Sequence, residues 1–158
     1  MQPELIEKTN NVLCKVMESM AFIFVDPTPS DSLDVENEIV GSYLHAHMKF
    51  TGPHTGSINL HLPTVMMSAI SANMLGVNED DEDALSQQLD AVRKLLNVIC
   101  GQVLTEIWGT EPVFDLCIPT VDPIDNNRVK PAVIRPDTTC FTSDEGLVLL
   151  EINIDQTA

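Results

Sequence analysis

One segment of this chain occurs twice, and that repetition limits the folds that the chain can adopt. The first copy is "TNNVLCKVMESMAF", Thr9 to Phe22, and the second is "LLNVICGQVLTEIWG", Leu95 to Gly109. Both contain Asn-Val-aliphatic-Cys, and both continue with apolar residues at helical spacing. The equivalent asparagines, Asn11 and Asn97, stand 86 positions apart. The repeat predicts a pseudo-two-fold domain with two equivalent outer helices.

Each copy predicts a helix with one apolar face and, opposite it, a row of exposed side chains. The core face of the second helix is expected to contain Leu89, Val92, Leu95, Leu96, Ile99, Val103 and Ile107. Its exposed row has spacings of four, three and four residues and consists of Asp90, Lys94, Asn97 and Gly101. The equivalent row of the first helix is Glu4, Lys8, Asn11 and Lys15. The two rows therefore differ mainly where one has glycine and the other has lysine.

Gly101 is the unusual member of the second row. A glycine inside an exposed helix costs about 1 kcal/mol relative to alanine. That cost is tolerated where another surface must approach the backbone closely. The approaching surface is either a docking partner, with Asn97 beside the contact, or another part of this protein or of its dimer mate.

The rest of the chain predicts an α+β fold with a mainly antiparallel sheet, because helices and strands do not alternate as in βαβ units. The helices are expected at residues 3–21, 63–75 and 82–108, the second of them opening at Pro63. Strands are expected at the start of 22–36, as a hairpin within 38–62, in "VFDLCIP" and as a second hairpin in "DTTCFTSDEGLVLLEINI". A polar connection fills 120–136, and one domain is expected to cover 1–158.

The first hairpin has a pattern that separates apolar from polar side chains. If Phe50 lies opposite Ile58, all apolar residues share one face. The other face then carries His45, His47, Lys49, Asn59 and His61, with His47 opposite His61. Imidazoles are common zinc ligands, so a metal site is one interpretation of this face. The other is a sheet face covered by solvent or by a dimer mate.

Composition excludes several classes of function. The net charge is −16, so the chain repels phosphate backbones and anionic membranes, and we expect neither nucleic-acid nor membrane binding. No apolar run reaches the roughly 18 residues that a membrane helix needs. The N-terminus lacks the basic start and apolar block of a secretion signal. The scattered Cys14, Cys100, Cys117 and Cys140 are expected to be reduced core thiols of a cytoplasmic protein, and disulfide pairing is the alternative.

At Asp90, Asn97, Gly101 and Pro119 the sequence resembles the CheC/CheX/FliY family of chemotaxis phosphatases, most closely its single-site CheX branch. The resemblance implies a single pseudo-two-fold domain with two long helices on one face of a mainly antiparallel sheet. It also implies a homodimer formed through the sheets. The implied substrate is the phospho-aspartate of a CheY-like receiver, which would hold the Mg²⁺, so the chain would need no cofactor of its own.

The resemblance also implies roles for the residues of the exposed row. Asn97 would position a water for hydrolysis, and Asp90, Lys94 and Gly101 would contact the receiver. The family has Glu where this chain has Lys94, so a binding module without hydrolysis is an alternative. Asp90 would either supply the missing acid or form a surface ion pair with Lys94. Lys8 and Asn11 would mark a degenerate second site, where Lys15 obstructs docking.

Overall fold

The fold combines six helices and seven strands within the part of the chain that this computed structural model describes, residues 2–155. Met1 and residues 156–158 lie outside it, and the expected single domain over 1–158 stays a prediction. The helices are α1 (Pro3–Ala21), α2 (Val35–Glu38), α3 (Met66–Leu75), α4 (Glu82–Ser86), α5 (Gln88–Trp108) and α6 (Asn126–Val129), with short 3₁₀ turns at Ser30–Ser32 and Lys130–Ile134. The strands are β1 (Asp26–Thr28), β2 (Tyr43–Thr51), β3 (Gly56–Pro63), β4 (Asp115–Leu116), β5 (Thr120–Ile124), β6 (Thr138–Thr142) and β7 (Val148–Ile154).

The sheet confirms the predicted antiparallel α+β fold and gives it a pseudo-two-fold order. The strands run β1-β6-β7-β3-β2, and the outer edge of β2 pairs with both β4 and β5. Every pairing is antiparallel. Each long helix, α1 or α5, is followed by an edge strand that pairs with the hairpin of the other half of the chain. The order is therefore the same from either edge, with β3 and β7 at the centre.

The two long helices pack on one face of this sheet, as predicted. Buried residues of α1, α3 and α5 form a single core with β2, β3, β6 and β7, in which Leu13, Leu95 and Leu60 are fully buried. A smaller apolar cluster covers part of the other face, where Val129 and Val133 pack on Tyr43. Burial of these apolar side chains is the main stabilising contribution to such a fold.

The predicted helix over 3–21 is confirmed, whereas the other two helices differ from the prediction. Pro63 is the last residue of β3 and pairs with Tyr43, so α3 begins only at Met66. The helix predicted over 82–108 is interrupted at Gln87, whose backbone leaves the helical region. The Asp81 side chain caps α4, and α5 starts afresh at Gln88. As a result Leu89, expected in the core, is 43% exposed.

The first hairpin has the predicted faces, but the predicted register is wrong by two residues. Phe50 lies opposite Gly56, not Ile58, and His47 lies opposite Asn59, not His61. Gly56 can pair within the strand because it has no side chain. A Cβ at this position would collide with the main-chain oxygen of Asn153 on β7. The connecting loop is therefore shorter than expected. A shift of two residues preserves the face of each side chain.

Two strands fall outside their predicted places. The chain pairs with β6 only from Asp26 onward, so the strand expected at Phe22 is wrong. Phe22 instead ends α1 in the left-handed conformation, with φ 53°. The polar connection predicted over 120–136 contains β5, a strand that the prediction missed and that includes Pro123. Proline is tolerated there because β5 is an edge strand that pairs with β2 alone.

The state of the cysteines and the apolarity of the helices can be compared with the predictions made from composition. The four cysteines are free, and burial raises the pKa of the Cys100 thiol to about 12 and that of Cys140 to about 11. Cys14 is half-buried and Cys117 is exposed, so Cys117 is not the core residue that was expected. Across residues 2–155, no helix combines the length and apolarity needed to cross a bilayer.

Candidate functional site

The exposed row on α5 forms because the opposite side of the helix is apolar at helical spacing. Its buried residues are Ala91, Val92, Leu95, Leu96, Ile99, Cys100, Val103 and Leu104. Asp90, Lys94 and Asn97 are exposed, and Gly101 is half-exposed. The predicted row is therefore present on the outer surface, one helix wide and about three turns long.

Asn97 lies in a groove that the sequence did not reveal. The groove has a volume of about 460 Å³ and combines the Asp90–Val98 stretch of α5, about two and a half turns, with residues from α1, α3 and the β4–β5 loop. We call it the Asn97 groove. It is lined by Met20, Met74, Asp90, Arg93, Lys94, Asn97, Val98, Ile118 and Pro119. Pro119 thus lies close to Asn97, although 22 positions separate them in the chain. The fold therefore brings together Asp90, Asn97 and Pro119, three of the four residues on which the resemblance rests.

The groove has mostly apolar walls around its polar residues. Met20 and Met74 are partly buried, and Ile118 is 86% exposed. Methionine side chains adapt their shape readily to a partner. These residues were not predicted as site residues, because each comes from an element distant in sequence. The only sequence signal was the position of Ile118 immediately before Pro119.

Lys94 and Asp90 form the predicted surface ion pair. The Lys94 Nζ lies 3.2 Å from the Asp90 Oδ2, and the two side chains are 63% and 53% exposed. Such a pair contributes only about 0.3–0.5 kcal/mol, because water screens it. The pair is therefore easily exchanged for contacts with a partner.

The surface beside Gly101 is open. A Cβ placed on Gly101 would meet no atom within 4 Å among residues 2–155, leaving aside the helix's own backbone. Packing against this chain's own helices therefore does not explain the glycine. The alternatives that remain are a docking partner and a second copy of the chain.

The equivalent row on α1 is also exposed at Lys8, Asn11 and Lys15. The neighbouring Asn10 faces the core side instead, and its buried Oδ1 has no hydrogen-bond partner within residues 2–155. Lys15 stands where Gly101 stands on α5, so a long charged side chain covers the equivalent patch. The structure thus distinguishes an open row on α5 from a covered row on α1.

The histidines of the first hairpin form a hydrogen-bonded cluster. Asn59 Oδ1 lies 2.7 Å from His45 Nε2 and 2.8 Å from His47 Nδ1. His61 stacks on His45 with ring centroids 4.7 Å apart. Glu151 completes the cluster through Asn59. Within the described ranges, no three His, Cys, Asp or Glu side chains are placed to hold a metal ion.

Burial of His61 has a consequence for its protonation. The side chain is 5% exposed, and its Nδ1 has no hydrogen-bond partner in the described part of the chain. Burial, reinforced by the nearby His45 and opposed by Glu151, lowers the pKa of His61 to about 4. Glu151 itself is buried, which opposes ionisation. Hydrogen bonds, the first of them from Asn153, outweigh that effect and lower the pKa of Glu151.

We predict that His61 makes the fold sensitive to weak acid. Its pKa of about 4 in the folded chain lies below the ordinary value of 6.5. The unfolded chain therefore takes up a proton first, and the free energy of unfolding falls as the pH drops below 6.5. The expected loss is about 2 kcal/mol between pH 7.5 and pH 5. Urea unfolding at several pH values measures it.

The matched variants for this prediction are His61→Leu and His54→Gln. His61→Leu removes the buried imidazole and should abolish most of the loss between pH 7.5 and pH 5. His54 is exposed and stacks on Trp108, so His54→Gln should leave the pH dependence unchanged. An unaltered pH profile in His61→Leu would contradict the assignment.

Solved structures of several proteins share this fold over nearly the whole chain. The chemotaxis protein CheX of Desulfovibrio desulfuricans matches with a TM-score of 0.66 at 19% identity, covering 96% of this chain and 99% of that one. A chain of the CheX–CheY–BeF3–Mg²⁺ complex from Borrelia burgdorferi matches with a TM-score of 0.62 at 17% identity, covering 98% and 100%. FliY of Thermotoga maritima gives 0.54 at 15% identity, covering 96% and 90%. These likenesses define the class, a CheC/CheX-like fold.

A family model identifies the particular branch of that class. The model of the chemotaxis phosphatase CheX matches residues 44–138, which is more than half of the chain. This chain therefore belongs to the CheX family. The matched range contains α5 and Pro119, and α1 lies outside it. Among curated proteins, no sequence matches this chain.

Proposed function

We propose that this protein, acting in the cytoplasm, removes the phosphoryl group from the phospho-aspartate of a CheY-type receiver domain. The observation that carries the proposal is Asn97, exposed in the Asn97 groove with open helix surface at Gly101. Membership of the chemotaxis phosphatase CheX family supports the reaction, and the CheX–CheY complex from Borrelia burgdorferi supports the class of partner. The test is the rate of phosphate release from a phosphorylated receiver with and without the protein.

The proposed chemistry needs no nucleophile from the protein. An acyl phosphate is already activated, so the reaction needs a water held in line behind phosphorus. The Asn97 carboxamide can accept a hydrogen bond from that water and donate one at the same time. The water oxygen forms a bond to phosphorus while the bond from phosphorus to the aspartyl oxygen breaks. Both water protons stay with the phosphate, so the products are an aspartate carboxylate and dihydrogen phosphate.

The other residues of the row are proposed to contact the receiver. Gly101 lets the partner backbone approach α5. Asp90 offers a carboxylate one turn before Lys94 on α5. On docking, Asp90 leaves its ion pair with Lys94 and contacts a lysine of the receiver instead. The Mg²⁺ that neutralises the phosphoryl group belongs to the receiver, and this chain contributes the positioning of the water.

The second candidate function is receiver binding without hydrolysis. Lys94 is the observation that favours it, because the resemblance implies a Glu here that pairs with an active-site lysine of the receiver. Two lysines facing each other cost affinity. In that case wild-type protein binds the phosphorylated receiver and leaves its rate of dephosphorylation unchanged.

We predict that Lys94→Glu increases kcat/KM for receiver dephosphorylation by about tenfold, because a like-charge contact becomes an attractive one. The variant loses the pair with Asp90, which costs a few tenths of a kcal/mol of stability at this exposed site. Lys8→Glu on α1 is the matched control and should leave kcat/KM unchanged. A Lys94→Glu variant no faster than wild type would contradict the charge argument.

Homodimer formation through the sheet is also part of the proposal. The histidine-bearing face of β2 and β3 is only partly covered by the smaller apolar cluster. Sedimentation equilibrium at micromolar concentration measures the mass directly. A monomer throughout the concentration range would contradict this part of the proposal.

A further inference from the structure

Arg93 is a charged residue of the Asn97 groove whose role remains unassigned. It lies one helical turn before Asn97 on α5, so the two side chains are i,i+4 neighbours on the same face. It is half-buried, in contrast to the exposed Lys94 beside it. Its long side chain therefore belongs to the wall of the groove.

The guanidinium of Arg93 makes no ion pair or side-chain hydrogen bond among residues 2–155. The carboxylate that could have paired with it, Asp90, is three residues away on the same helix and pairs with Lys94 instead. An arginine has five donors in a planar fork, which match the oxygens of a carboxylate or a phosphoryl group. Those donors are available to a molecule that enters the groove.

The surroundings of Arg93 strengthen its attraction for an anion. Met20, Met74 and Val98 line the same groove, and a docked partner would exclude water from it. Coulomb interactions grow as water is excluded. The repeat adds a second observation, since Glu7 stands at the equivalent position of α1, 86 residues earlier. The open row thus has a cation beside its asparagine, and the row covered by Lys15 has an anion there.

We propose that Arg93 contacts the phosphoryl oxygens of the receiver's phospho-aspartate while Asn97 holds the attacking water. This inference rests on the proposed function, because it needs a phosphorylated receiver in the Asn97 groove. Arg93 supplies positive charge where the transferred phosphoryl group carries negative charge, a contribution that is large in phosphoryl transfer. It makes binding depend on the phosphoryl group as well as on the receiver surface.

The experiment compares wild type with Arg93→Ala, Arg93→Lys and Arg128→Ala. Arg128 is exposed on α6, on the other side of the sheet, and controls for loss of one positive charge. Two quantities are measured for each variant with a CheY-type receiver. The first is kcat and KM for dephosphorylation. The second is the ratio of the Kd values for receiver with Mg²⁺ alone and for receiver with Mg²⁺ and beryllofluoride, a mimic of the phosphoryl group.

Arg93→Ala should reduce kcat by at least about tenfold, and it should reduce the Kd ratio that favours the beryllofluoride form by a similar factor. The affinity for the unloaded receiver should not change. Arg93→Lys should be intermediate, and Arg128→Ala should equal wild type. An unchanged preference in Arg93→Ala, or equal weakening for both receiver forms, would overturn the inference while leaving the proposed function in place. A wild-type protein that neither binds nor dephosphorylates the loaded receiver would overturn both.

Discussion

An Asn97→Ala variant is expected to fold as wild type does and to lose at least about 10²-fold in its acceleration of receiver dephosphorylation. The loss follows because the attacking water is no longer held in line, and small errors of position in such a reaction cost rate steeply. Folding should be unaffected, since the side chain is exposed and alanine is the better helix former. Single-turnover decay of a phosphorylated CheY-type receiver measures the effect.

The repeat supplies the control for this experiment. Asn11→Ala makes the same change on α1, where Lys15 covers the neighbouring helix surface, and it should retain wild-type activity. Receiver affinity should change little in Asn97→Ala, so the comparison of affinity with rate distinguishes an effect on chemistry from an effect on binding. Full activity in Asn97→Ala, or equal losses in Asn97→Ala and Asn11→Ala, would contradict the proposal that α5 carries a water-positioning asparagine.

Gly101→Lys is expected to weaken binding of the beryllofluoride-loaded receiver by tenfold or more. A lysine here reproduces on α5 what Lys15 does on α1, filling the open patch that the partner backbone must approach. The interaction lost is close packing over the helix, which tolerates no long side chain. Isothermal titration calorimetry or fluorescence anisotropy gives the Kd.

Two further variants make the Gly101 experiment decisive. Gln102→Lys adds the same charge to the same helix at the next, exposed position and should leave the Kd near that of wild type. Gly101→Ala should raise the free energy of unfolding by about 1 kcal/mol, because its Cβ meets no neighbouring atom. A Gly101→Lys variant that binds as tightly as wild type would show that the patch is not covered in the complex.

Local pattern was sufficient to predict α1, the body and end of α5, and the row on α5. The 3.6-residue period of α1 and α5 places the exposed residues opposite the buried ones, and that relation holds wherever the helix packs. The period of two in β2 and β3 likewise assigned the histidines to one face. Both are properties of residues close together in the chain, so no tertiary information was needed.

Contacts between distant segments decided what the sequence could not. The hairpin register depends on the approach of β7 to Gly56, and the strand containing Pro123 forms only because it lies at the sheet edge. The end of the helix predicted over 82–108 was right, but its interruption at Gln87 reflects the Asp81 cap and the packing of α4.

The candidate site shows the same division. Asp90, Lys94, Asn97 and Gly101 were predictable as a row because one helix carries them all. The Asn97 groove was not predictable, because Met20, Met74 and Ile118 reach it from α1, α3 and the loop before β5. Which side chains surround an exposed residue depends on how the elements pack, and packing is set by the summed burial of the whole core. The sequence by itself determined which residues face outward, and only the tertiary structure decided which of them meet.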